Sequence, residues 1–374
     1  MKCVDKTGQE IYSKIAGYDS VLPSANPLKE DAVVKLASAT KLITSIALLQ
    51  CVERGLILLD DPLSKILPEL AEQEILTDVS GSDFTFAKRK NEFTSRHLLS
   101  HTSGLGYPFL HPLLAKRAAT RGDQKPSLIV TDRYSMPFVF EPGEGWLYGC
   151  SLDWAGIVVR RLNNDITLED YFVDNIWKKV GLSAPFPRFN IATHPEYDAR
   201  KMHLAHRTSD DGTLEHMDSW ILDNEKDQAG GEGLSCTTAD YVAVLADLIS
   251  DSPKLLDPST IDLMFSPQLV PKSPSIDMVF QLRLAWDTVS GPIAAEDVNH
   301  GLGGLLCVGA VPEIGQPGNT LAWGGACNVV WWINRDVGVA GWFATQQTPF
   351  GNAVVTKLVN AWKKDFWAKF RAKG

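Results

Sequence analysis

The 374-residue sequence predicts an α/β protein of the α+β type: an antiparallel sheet built from both chain ends and flanked by helices, with a mainly helical region inserted. Three observations predict this. Apolar and polar residues alternate at the N-terminus, three β-rich segments followed by an amphipathic helix end the chain, and helical spacing with loops fills the interval.

Taken in order, "KCVDKTGQEIYSKIAGYDS" alternates around an Asp-Lys-Thr-Gly turn and reads as a hairpin. Helices are expected at 40–54, 95–103, 151–162 and 237–250. The first carries Leu42, Ile43, Ile46, Leu49 and Val52 and stops at Gly55; the last opens on Thr237 and Thr238 as capping candidates. "NTLAWGG", "CNVVWWIN" and "DVGVAGWFAT" then read as strands, the last two joined at Asn334-Arg335-Asp336. Val355, Leu358, Val359, Trp362, Phe366 and Phe370 follow at helical spacing and mark a C-terminal helix. Residues 1–37 and 275–374 thus form the sheet region and residues 38–274 the mainly helical region. An active-site cleft is expected between them.

Composition narrows the function. Apolar residues make up 44% and charged residues 22%, and no apolar run approaches the roughly 20 residues of a membrane span. A net charge of −9 excludes nucleic acid as a partner, because binding to phosphate needs clustered Lys and Arg. The six cysteines lie far apart with no C-x-x-C pair and no signal peptide precedes them, which points to reduced thiols and a cytoplasmic location. His203 and His206 could share a helix face, but no further ligands stand at a recognisable spacing, so no metal and no organic cofactor is expected. His97 and His101, four apart, are expected to pack within one helix, and Ser103 to sit in that helix's C-terminal turn.

The candidate chemistry begins with "KLASATKLITSIALLQCVERG", where Ser38 and Lys41 stand three apart at a helix start. Unpaired N–H groups there favour an anion, and the spacing puts amine and hydroxyl on one face. A lysine among apolar groups can lose its proton and act as a base. The pair alone does not decide for chemistry, because a serine at a helix start is most often only an N-cap. "EPGEGWLYGCSLDWAG" places Tyr148 in a Gly-rich loop before a helix, suited either to a proton shuttle or to core filling beside Trp146. In "LAWGGACNVVWW", Trp323-Gly324-Gly325-Ala326 puts glycines in a strand, which implies either a bulge or close approach of an acyl group.

In this order the segments "LASATKL", "RHLLSHTSGLGYPFLHPLL", "PGEGWLYGCSLDWAG", "GGEGL", "LLDPSTIDLMFSP", "HGLGGLL" and "WGGACNVVWWIN" resemble the S-x-x-K serine hydrolases of the class C β-lactamase and penicillin-binding-protein superfamily. The resemblance is strongest to the fungal branch that holds the lovastatin side-chain acyltransferase and statin esterases. It implies Ser38 as nucleophile, Lys41 as its base partner and Tyr148 as a second acid/base. It further implies an oxyanion hole of the Ser38 and Ala326 N–H groups, with Tyr107, Trp323, Gly324 and Gly325 against the substrate. Relatives begin with a helix and a strand ahead of the hairpin, so either the sequence is truncated at its N-terminus or the sheet is expected to lack that cover.

Two departures bear on substrate. Tyr148-Gly149-Cys150 replaces the Y-x-N triplet of penicillin-reactive enzymes, and Trp323-Gly324-Gly325 replaces a K-T-G-like triplet, exchanging a cation for an apolar wall. The expected enzyme forms an acyl-enzyme on Ser38 and hydrolyses or transfers a short branched acyl ester of a statin-like polyketide of the lovastatin or monacolin J type. Its partners would be a small-molecule ester and an acyl-thioester or acyl-carrier donor. The alternatives are a β-lactamase, a D-stereospecific peptidase, or a catalytically silent binding module of the same fold.

Overall fold

The computed structural model describes residues 1–120, 126–209, 212–221 and 227–372. The N-terminal hairpin forms as expected. Strands β1 (Lys2–Asp5) and β2 (Glu10–Ser13) pair antiparallel about a turn in which Asp5 Oδ1 accepts from the Thr7 and Gln9 N–H groups. Near the other end come β3 (Val298–His300), β4 (Leu305–Cys307), β5 (Thr320–Gly325), β6 (Val329–Asn334) and β7 (Val339–Ala344). Together they make one seven-stranded antiparallel sheet in the order β2-β1-β7-β6-β5-β4-β3, so β1 from one chain end lies against β7 from the other.

The principal helices are α1 (Thr40–Glu53), α2 (Ser95–Leu99), α3 (Ser151–Leu162), α4 (Thr238–Ile249) and α5 (Ala353–Arg371). The sheet is covered on both faces, which explains why β5 and β6 are buried along their whole length rather than alternating. Under α5, Trp332 and Phe343 pack with Val355, Val359, Trp362 and Phe366. On the opposite face Trp331 and Trp342 join the main core, and the Trp342 ring stacks on Tyr241 of α4 with centroids 4.2 Å apart. Helix α1 runs through this core with nearly every side chain buried, and ends at Gly55, whose φ of +67° suits glycine.

Several expectations need correction. Leu358, placed on the apolar stripe of α5, is 44% exposed. Helix α2 stops at Leu99 rather than 103: Ser100 caps it, and His101 takes a left-handed φ of 57° that no helix continues. Thr237, not Thr238, caps α4, through a capping box with Asp240. His203 and His206 share no helix, since His206 lies in the short strand Ala205–Arg207. The middle of the chain also contains an antiparallel hairpin, Ile75–Ser80 with Asp83–Ala87, that the reading for helices overlooked.

Candidate active site

Ser38 sits in a single 3₁₀ turn, Ala37–Ala39, between the short strand Val33–Lys35 and α1. Ala37 has a φ of 45° although it carries a Cβ, so the chain bends sharply just before the serine. The N-cap of α1 is Ala39, and no side chain caps the helix, so Ser38 is not spent as a capping residue. Its hydroxyl instead accepts from Lys41 Nζ at 3.2 Å and from the Tyr148 hydroxyl at 2.5 Å.

Lys41, 1% exposed, has three acceptors for its three ammonium protons: Ser38 Oγ, the Tyr107 hydroxyl at 3.2 Å and the Gly231 carbonyl at 2.8 Å. Its Nζ also lies 4.9 Å from the Tyr148 ring centroid and 5.5 Å from that of Tyr107. The Tyr107 phenol is pushed well up, by burial first and by neighbouring Asp153 second, and so stays protonated. Tyr148 is not a core filler, because its hydroxyl is committed to the serine while its ring packs 5.0 Å from His101 and 5.1 Å from Trp323.

Trp323, at 4% exposure, forms one wall. Behind it stand His101, whose ring stacks on the indole at 6.1 Å, and His300 at 5.7 Å. Burial lowers His101 far below the usual histidine range and brings His300 down to about 4, so neither adds a cation near neutral pH. These two histidines were missed by the sequence reading, which assigned His101 to helix packing; the left-handed residue after α2 is what turns it toward the site.

The glycines of β5 answer to the protein's own backbone. A Cβ on Gly325 would lie 1.9 Å from the Leu36 carbonyl oxygen, and one on Gly324 would lie 2.4 Å from the Val329 carbonyl oxygen. Their absence lets the end of β5 press against the turn that carries Ser38. The bulge alternative is not seen, since β5 and β6 keep register from Thr320↔Asn334 to Gly325↔Val329.

Ser38, Tyr107, Tyr148, Trp323, Gly324, Gly325 and Ala326 all line one cavity of about 930 Å³, so the structure brings every expected site residue except the buried Lys41 to its surface. Tyr134, Trp220, Trp286 and Phe350 extend the aromatic lining. Trp331 and Trp332 do not reach it, being fully buried on the two faces of β6. Cys150 is also fully buried, so the third position of Tyr148-Gly149-Cys150 presents no group to the cavity. Ser103, expected in the turn after His101, bonds Ser151 at 2.8 Å and does not line the cavity. Among the described residues, no group of three or more His, Cys, Asp or Glu side chains is placed to hold a metal ion.

A hydroxyl at a helix entrance, touched by a buried amine and a phenol and facing an apolar cavity, is equipped for covalent acyl transfer. The chain belongs to the beta-lactamase family, whose model matches residues 3–363, and it has the β-lactamase and penicillin-binding-protein fold. It is 66% identical to acyltransferase calJ of Penicillium decumbens over 97% of this chain and 87% of that protein. The lovastatin esterase of Penicillium rubens is 35% identical, with 98% of this chain and 93% of that one covered. Among solved structures, unliganded simvastatin synthase from Aspergillus terreus superposes with a TM-score of 0.88 at 32% identity, covering 99% of this chain and 93% of its own. No helix among the described residues is long and apolar enough to cross a membrane.

Proposed function

We propose that the protein is a serine acyltransferase and esterase that forms an acyl-enzyme on Ser38 and passes a short branched acyl group to or from a statin-like polyketide alcohol. The single observation that carries this reading is the convergence of Lys41 Nζ and the Tyr148 hydroxyl on Ser38 Oγ at the cavity wall. In the proposed cycle Lys41, in its unprotonated form, takes the proton of Ser38 as Oγ attacks the acyl carbonyl. The Ser38 and Ala326 N–H groups receive the oxyanion. Tyr148 hands a proton to the departing alcohol or thiol, and the steps reverse when an acceptor alcohol or water enters. Tyr107 orients Lys41, and Trp323 with Gly324 and Gly325 flanks the acyl group.

The relatives' names support this substrate class, and so does the wall. Trp323 offers no cation to a β-lactam carboxylate, whereas burial of an uncharged polyketide body is favourable by about 25 cal/mol per Å². We place the donor among acyl-thioesters or acyl-carrier conjugates, and the protein in the cytosol, where its six free and buried cysteines remain reduced. The division into residues 1–37 with 275–374 and residues 38–274 is likewise a proposal, supported by the sheet's use of both chain ends.

Incubation with lovastatin, with and without an acyl-thioester, tests the reading by mass spectrometry. Monacolin-type alcohol with free acid marks hydrolysis; acyl loading of that alcohol from the thioester marks transfer. If neither occurs and nitrocefin turns over efficiently, the β-lactamase alternative replaces this one. Absence of any turnover, including of p-nitrophenyl butyrate, points to a binding module.

A further inference from the structure

One buried carboxylate has no part in the cycle above. Asp153, in the first turn of α3, is fully buried; its Oδ1 accepts the Gly231 N–H at 2.9 Å, and its Oδ2 has no hydrogen-bond partner among the described residues. Gly231 is the residue whose carbonyl receives Lys41 Nζ at 2.8 Å. The fit is tight, since a Cβ on Gly231 would meet the Asp153 carboxyl at 2.4 Å. An unpartnered buried oxygen is costly and calls for an explanation.

We infer that Asp153 is a positioning residue for Lys41: it holds Gly231 so that the carbonyl meets the amine, and its charge sets the pH range in which Lys41 can take the Ser38 proton. This rests on the reading of Lys41 as the base. The groups around Asp153 are Lys41 on α1, Glu232 beside Gly231, Arg133 and Tyr134 from the segment 130–134, Tyr107, and Cys150 just before α3. Arg133, paired with Glu232 at 3.2 Å, and Lys41 are the cations that act on Asp153, Lys41 the more strongly. Burial first, opposed by Lys41, raises the carboxyl to about 7, so Asp153 gains or loses its charge near neutral pH.

Asp153→Asn keeps an acceptor for Gly231 but removes the anion that favours the protonated amine. The acidic limb of kcat/KM for p-nitrophenyl butyrate should then move to lower pH by about one unit. Asp153→Ala, which also frees Gly231, should lower kcat further at every pH. An unmoved limb in Asp153→Asn overturns the inference. Should that variant fail to fold, the coupling is read in reverse. Lys41→Met should shift the infrared titration of a buried carboxyl, absent in Asp153→Ala, to higher pH, and no shift overturns the inference. Lys41→Ala separates the two claims. If it abolishes turnover while the limb is unmoved in Asp153→Asn and the infrared band unmoved in Lys41→Met, only the role of Asp153 fails; if it retains turnover, the base assignment fails and the inference with it.

Discussion

Replacing Gly325 by alanine should disable the enzyme through backbone displacement, without touching a reacting side chain. The new Cβ would begin 1.9 Å from the Leu36 carbonyl oxygen and 3.3 Å from the Ala39 nitrogen, both backbone atoms of the turn around Ser38. Restoring even a 3.0 Å contact requires the strand end and the turn to part by about 1.1 Å. On the proposed role of Ala326 in the oxyanion hole, that movement displaces its N–H from where the oxyanion would form. A misplacement of about 1 Å costs roughly a hundredfold in rate, and loss of one oxyanion donor costs about a hundred- to a thousandfold, so kcat should fall by about two orders of magnitude. Overpacking should also lower stability by about 1–3 kcal/mol. Gly341→Ala serves as control, because its Cβ would strike the Trp332 ring at 2.2 Å, away from the cavity. Both variants should melt earlier, but only Gly325→Ala should lose kcat with p-nitrophenyl butyrate when rates are normalised to folded protein by circular dichroism. A Gly325→Ala enzyme within threefold of wild type, or an equal loss in Gly341→Ala, refutes the argument.

Two further predictions concern the proton relay and acid stability. Lys41→Ala, Tyr148→Phe and the double variant should each lose on the order of a hundredfold or more in kcat, with the double scarcely worse than the singles; additive losses in the cycle would mean the two groups act independently. His300 sits near 4 when folded and near 6.5 when unfolded, so the unfolded chain binds the extra proton and stability drops as pH falls from about 6.5 to about 4. Denaturant titrations at pH 7 and pH 4 should show that loss reduced by about 3 kcal/mol in His300→Gln, and an unchanged loss contradicts the assignment of a neutral buried imidazole.

The sheet was legible because Trp323, Val330, Trp331 and Trp342 sit on continuous β-branched and aromatic runs whose burial on both faces leaves little choice of partner. The amphipathic period of α5 was equally plain, although Leu358 shows that an apolar residue at helical spacing need not face the core. At the site, the spacing of Ser38 and Lys41 and the loop around Tyr148 pointed to residues that the fold does bring together. Other features depend on distant contacts. The need for glycine at 325 comes from the Leu36 carbonyl across the chain, not from a ligand, and nothing local to the strand says so. His101 enters the aromatic wall through one left-handed residue after α2, a backbone state that a helical period conceals. Asp153 reads as an ordinary first-turn acid of α3, and only tertiary burial beside Gly231 sets it apart.

The central claim is a covalent intermediate on Ser38, and intact-protein mass spectrometry after rapid acid quench tests it most directly. With a short acyl-thioester or p-nitrophenyl butyrate in excess, wild type should gain the mass of one acyl group. Peptide mapping should place it on Ser38, and Ser38→Ala should gain none while keeping its fold. An adduct mapped to another residue, or acylation and turnover that persist in Ser38→Ala, would contradict the account.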